Sequence, residues 1–286
     1  MTCQVMALGH RTAYVACMTT TALRPNLPGL LLREWRERRR LSQLDLANLS
    51  GTSARHLSYV ETGRSRPSRE MVLRLGDALD VPLADRNQIL LAAGHAPAYD
   101  DARRDAAATR YLLDVLDLAL EAYDPWPALV IDAQFDVVAT NRAVDLLMSL
   151  IDPDLLDPPV NVVRAMLHPR GLSRYVTNFT LWRAHLLRQV RRHAATAPSR
   201  DLDELLREVE SYPVRPADGP VQSGPTFALP LELDIGGQRL RLYSTIATFG
   251  TPLDVAASEL AIETFLPADD VTREWLASAG RAAVST

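Results

Sequence analysis

Arg55, His56 and Tyr59 sit within one short segment, SARHLSYVET, and bring together a planar guanidinium fork, an imidazole and a phenol. Such groups read hydrogen-bonding edges: an arginine fork pairs in bidentate fashion with guanine O6 and N7 in the major groove. Spaced at i, i+1 and i+4, they share one side of a helix whose back is Leu57 and Val60. Ser53 caps that helix, and Ala54 and Ser58 complete its exposed front. Gln43, opening the preceding helix, and Arg64, just beyond, are placed to hold phosphates, which position a reading helix without carrying sequence information. Together these residues predict a double-stranded DNA interface.

The elements that must carry them lie in residues 41–63, LSQLDLANLSGTSARHLSYVETG. Ser42 is a good N-cap, Leu44, Leu46, Ala47 and Leu49 suggest an apolar helical face, and Gly51 suits a turn at positive φ. A second short helix starts at Ser53 and ends at Gly63. Two short helices around a tight turn, anchored behind and polar in front, are a helix-turn-helix. The pattern LSQxxLA, then G-x-S, a polar quartet and E-x-G, resembles the XRE or lambda-repressor-like family from about residue 29 to 79. That resemblance implies a bundle of four to five helices. It also implies an ion pair between Arg36 and Glu61 that clamps the first helix to the reading helix; the alternative is that Arg36 belongs to a solvated run with Arg38, Arg39 and Arg40.

Composition agrees with two ordinary domains: 286 residues, 47% hydrophobic and 23% charged. The net charge of −4 is unevenly spread, with ten arginines against seven acids between Pro28 and Asp80 and the acidic excess elsewhere. A basic module joined to an acidic one suits a chain that touches phosphate at one end. All 31 basic residues are arginine, which reports a GC-rich coding sequence.

The two cysteines, Cys3 and Cys17, supply neither a disulfide framework nor a CxxC metal site, so a reducing cytoplasm is expected. Gly9, His10 and Arg11 interrupt the N-terminal segment, which lacks the form of a signal peptide. No run reaches the ~18–20 apolar residues that span a bilayer, so no membrane partner is expected. Residues 1–27 read as a disordered extension, with Met18 a better initiator than Met1.

Residues 28–97 are expected to form the helix-turn-helix domain, including a helix over about 84–93 that ends at Gly94 and Pro97. Residues 98–124 read as a connecting helix, with the first helix of the next core or a dimer-packing helix as alternatives. From Trp126 the hydrophobic period changes to two. ALVID and FDVVATN form a hairpin around Asp132 and Ala133; PTFALPLELDIGGQRLRLYSTIATF forms another, turning at Gly236 and Gly237; SELAIETFLP supplies a fifth strand. Helices lie between, the clearest over residues 176–193. Two strands, a helical crossover and three strands give a PAS-like α+β domain with a five-stranded antiparallel sheet over residues 125–278, leaving a tail at 279–286.

LAAGHAP, LHPRGL, TNFTLW and above all STIATFGTPLDVAASELAIETFLPADDVT resemble the MmyB-like class of bacterial XRE regulators. The resemblance implies a PAS-like domain that binds a small apolar ligand, a fatty acid being the leading candidate. The class often has N-W where this chain has Asn178 and Phe179. The expected pocket lies between the sheet and the helix over residues 176–193, bordered by Phe179, Trp182, Ser244, Ile246 and Ile262, with Trp126 nearby. His168, Arg174 and Asn178 are the candidate donors for an acid headgroup. Small residues on aliphatic strand faces can leave a cavity or can pack closely under a helix, and both readings stay open.

The six histidines show no metal spacing, and no nucleophile elbow, phosphate loop or dinucleotide fingerprint follows a strand. No catalytic residue, metal or cofactor is therefore expected. The sequence predicts a cytoplasmic, homodimeric transcription regulator whose second domain tunes DNA binding through a ligand. The competing reading is a constitutive DNA-binding protein whose second domain serves oligomerisation or partner binding.

Overall fold

The computed structural model describes residues 7–8, 11–12, 27–196, 199–214, 228–250 and 252–282. Two-residue strands β1 (Ala7–Leu8) and β2 (Arg11–Thr12) pair antiparallel. The rest of the predicted N-terminal extension before Leu27, and the tail beyond 282, lie outside the described residues. The chain forms two compact units, one built on residues 16–108 with 250–258 and the other on the remainder.

The helical unit contains α1 (Leu27–Arg38), α2 (Gln43–Ser50), α3 (Ala54–Glu61), α4 (Arg69–Ala78) and α5 (Leu83–Ala92). Local chemistry sets the boundaries. Ser42 closes a capping box with Asp45, Gly51 ends α2 at φ 65°, and the Ser53 hydroxyl accepts from the His56 N–H at 3.1 Å. Leu32, Leu46, Leu57, Val72, Leu75 and Leu90 are fully buried in its core. Leu44 and Leu49, expected to face inward, are instead 61% and 62% exposed. The inward face of α2 is Leu46, Ala47 and Ser50, and at 100° per residue the other two leucines each point about 110° away from its centre. Segment 252–258 returns to this unit, where Asp254 Oδ2 accepts from the Ala102 N–H at 2.8 Å.

The second unit is a sheet between helices. Its strands β3 (Ala128–Ile131), β4 (Val137–Thr140), β5 (Leu231–Ile235), β6 (Gln238–Thr248) and β7 (Ala261–Pro267) form an antiparallel sheet of order β4-β3-β7-β6-β5. Helix α6 (Ala106–Glu121) covers one face, where Leu116 and Leu120 pack with Ala128, Val130 and Ile262. Most of the predicted connector is thus a packed layer of this core. The other face lies under α7 (Arg142–Met148), α8 (Val162–Leu167), α9 (Phe179–Thr196) and α10 (Arg200–Ser211), with Leu129, Ile131, Leu231, Leu233, Leu240, Leu242 and Phe265 pointing toward them. Gly236 and Gly237, at φ 61° and 85°, make the turn between β5 and β6 that needs left-handed residues.

The first hairpin differs from its expected form. Phe135, placed in a strand by its sequence, sits in the turn at φ 64° and is 8% exposed. Asp132 Oδ1 accepts from the N–H groups of Gln134 and Asp136 at 2.8 and 2.9 Å, which stabilises the turn. Burial of the ring offsets a left-handed backbone that costs a non-glycine residue about 1–2 kcal/mol.

Candidate nucleic-acid interface and ligand site

On α3, Leu57 and Val60 are buried while Arg55 and His56 are exposed. Arg55 Nε donates to the Tyr59 hydroxyl at 3.0 Å. The Arg55 and Arg64 guanidinium carbons lie 5.5 and 6.0 Å from the Tyr59 ring centre. One phenol therefore organises two cations on an exposed helix face, and the stacking leaves guanidinium N–H groups available to an incoming acceptor. The Ser53 oxygen caps α3, and its O–H remains able to donate outward.

Behind this face, Arg36 Nε and Nη2 donate to Glu61 Oε1 and Oε2 at 2.7 and 2.9 Å. The two side chains are 11% and 2% exposed. Arg36 Nη1 donates to the Leu41 carbonyl at 2.8 Å, and Gln43 Nε2 to Glu61 Oε2 at 2.9 Å. The Glu61 hydrogen bond holds the Arg36 pKa above the ordinary arginine value despite burial. Elements α1, α2 and α3 are thus tied at one carboxylate. Gln43, assigned to phosphate by position, spends one N–H on this clamp and keeps a second.

The sheet unit contains a cavity of about 10 Å³ under α9, lined by Phe135, Val162, Met166, Trp182, Glu263 and Phe265 among others. Trp182 alone of the sequence-predicted ligand residues lines it. Phe179 is 2% exposed within the solid core, and Trp126 packs half-buried against that core. Ile262 lies on the opposite sheet face: Ile246 pairs with Glu263 and Ala247 with Ile262, so Glu263, not Ile262, shares a face with Ser244 and Ile246. Ile246 itself is 48% exposed, because β5 pairs with β6 only as far as Leu242. Ser244 reaches the cavity indirectly, donating to Glu263 Oε1 at 2.5 Å.

The three candidate headgroup donors have structural partners. Asn178 Nδ2 donates to the Pro230 carbonyl at 2.8 Å, and Asn178 Oδ1 accepts from the Glu232 N–H at 3.2 Å. Arg174 Nη2 donates to the Leu150 carbonyl at 2.5 Å. His168 Nδ1 accepts from the Arg170 N–H at 3.1 Å, its ring meets Tyr212 edge-on, and burial lowers its pKa. None of the three lines the cavity. Besides Gln189, sequence reasoning missed Glu263, a cavity-lining acid 7% exposed whose pKa burial raises. Its signal was its parity with Phe265 in a strand that is buried on both faces.

Among the described residues no group of three or more His, Cys, Asp or Glu side chains could hold a metal ion, and no helix is long and apolar enough to cross a membrane.

A helix-turn-helix with a polar front, followed by a helix-covered antiparallel sheet, defines a DNA-binding transcription regulator with a domain for a small-molecule ligand. Residues 29–89 match a helix-turn-helix domain, and residues 114–279 match the MmyB-like transcription regulator ligand binding domain. The chain belongs to this MmyB-like family. It is also similar to a solved structure, the clp gene regulator ClgR from Corynebacterium glutamicum, at 28% identity, covering 34% of this chain and 95% of that one with a TM-score of 0.22. No curated protein matches.

Proposed function

We propose that this protein binds its operator as a homodimer, with α3 in the major groove, and that a small apolar ligand of the fatty-acid type in the sheet unit alters that binding. Arg55, His56 and Tyr59 meet base edges; Ser53, Gln43 and Arg64 meet phosphates. The role is regulatory and non-enzymatic. The carrying observation is the exposed Arg55–Tyr59–Arg64 cluster on a helix anchored by Leu57, Val60 and the Arg36–Glu61 pair. A dimer follows from the usual two-fold logic of helix-turn-helix sites, in which half-sites repeat one helical turn apart.

The constitutive reading also has an observation in its favour. A cavity of about 10 Å³ holds one water at most, whereas ligand sites usually run to about 300–1,000 Å³. A sensor that uses this cavity must open the core when it binds. Operator titration with and without fatty acids of graded length separates the readings. A typical coupling of about 1–3 kcal/mol changes operator affinity roughly 5–150-fold. Unchanged affinity across the whole series, with no metabolite extracted from the purified protein, leaves only the constitutive regulator.

A further inference from the structure

The cavity beneath α9 is apolar on most sides, with Phe135, Val162, Val163, Met166, Leu186 and Phe265 forming its walls. Its polar groups are few and unevenly matched. The Trp182 indole N–H is buried with no hydrogen-bond partner, although its residue is only 2% exposed. Glu263 has one described partner, Ser244, whose hydroxyl donates to Oε1. Gln189 adds an amide at the wall.

Burial with only a serine for company raises the Glu263 pKa, which favours the neutral acid over the carboxylate. With Ser244 donating to one oxygen, the neutral acid turns an O–H donor outward on the other, beside the unpartnered Trp182 N–H. Buried donors are nearly always paired, so two beside one small cavity ask for an acceptor. An ammonium group would meet the unspent indole N–H as a like donor and satisfy nothing there.

We propose that Trp182 and Glu263 form the headgroup subsite of the sheet unit, and that the ligand it takes is an acyl amphiphile whose carbonyl oxygen accepts from both. This rests on the reading of that unit as a ligand sensor, and it names the chemistry of the head. Neutral donors replace the cation that an acid headgroup would ordinarily recruit, so the charge of the head is not the feature recognised. Esters and acids of one chain length both fit, whereas alkylamines do not.

The test uses the full chain, labelled with ¹⁵N at its four tryptophans, with the Trp182 Nε1–H resonance assigned by Trp182→Phe. The probes are methyl tetradecanoate, tetradecanoic acid and tetradecylamine. The expected result is that ester and acid both bind and move that resonance, while the amine does neither. Trp182→Phe and Glu263→Leu should each weaken the ester roughly 5- to 15-fold, the loss of one hydrogen bond. Glu263→Gln keeps a donor and the side-chain shape, so it should bind the ester nearly as wild type and guards against misfolding of the leucine variant. Ester binding that is indifferent to Trp182→Phe and Glu263→Leu overturns the subsite while leaving the sensor reading intact. Amine binding as tight as ester binding also overturns it. An indole resonance unmoved by every probe means a water-filled packing defect, and if in addition nothing binds, the sensor reading falls as well.

Discussion

Replacing Glu61 by alanine removes the bidentate carboxylate partner of a guanidinium that is only 11% exposed and cuts the tie from α1 and α2 to α3. The Leu41 carbonyl and a half-exposed Glu37 carboxylate 3.8 Å from Nη2 remain near Arg36, but a neutral acceptor and a solvated charge beyond hydrogen-bond distance do not replace the buried bidentate pair. Breaking a buried pair from one side costs about 3–5 kcal/mol, against a total of ~5–13 kcal/mol for a unit of this size. For a domain of roughly 60–100 residues each kcal/mol moves the melting temperature by about 4–8 °C, so the helical unit should melt at least ~12 °C lower. Calorimetry of the full chain, with circular dichroism at 222 nm alongside, reads this directly. Arg33→Ala, which breaks a solvated i,i+4 pair with Glu37, is the control and should change nothing measurable. Arg36→Met combined with Glu61→Leu should recover much of the loss, since the penalty lies in the stranded charge. Equal melting temperatures for wild type and Glu61→Ala would refute the clamp and return Arg36 to a solvated arginine run.

Arg55→Ala should cost about 1–3 kcal/mol on the preferred operator and relax selection at one base pair, whereas Arg64→Ala should weaken all sequences alike and lower the salt slope by about one; an unchanged selected motif at unchanged affinity sinks the first assignment. Burial raises the folded pKa of Glu263 above the ordinary value of 4.5, so the native state binds more protons than the unfolded chain and wild type loses stability as pH rises through that window. Glu263→Gln cannot titrate, and its advantage in urea midpoint should grow with pH; a gap that shrinks as pH rises contradicts the assignment. A Cβ at Gly171 would lie 2.1 Å from the Ala165 carbonyl oxygen, so Gly171→Ala should destabilise the sheet unit by more than about 1 kcal/mol, and an unaltered denaturation midpoint means that the turn relaxes freely.

The helix-turn-helix was legible because most of it is local. Ser42, Gly51 and Ser53 act within four residues of themselves, through caps and a left-handed turn, and residues at i, i+1 and i+4 share a helix side whatever surrounds them. The exposure of Leu44 and Leu49 was not legible, since a helix of two turns gives too short a period to choose between neighbouring faces.

In the sheet unit, alternating hydrophobicity and the paired glycines at 236 and 237 determined which segments are strands and in what order they occur. Register belongs to the tertiary structure alone. Pairing Ile246 with Glu263 depends on hydrogen bonds between segments distant in sequence, and a slip of one residue would exchange Glu263 for Ile262 at the cavity. The same holds for Phe135, which reads as a strand residue until the Asp132 turn and the surrounding core turn its ring inward. Sequence alone thus determined α3, its polar front and which segments become strands, all set by interactions within a turn or two. Only the fold decided which donors face the cavity, because the two faces of a strand are alike until its partners choose between them.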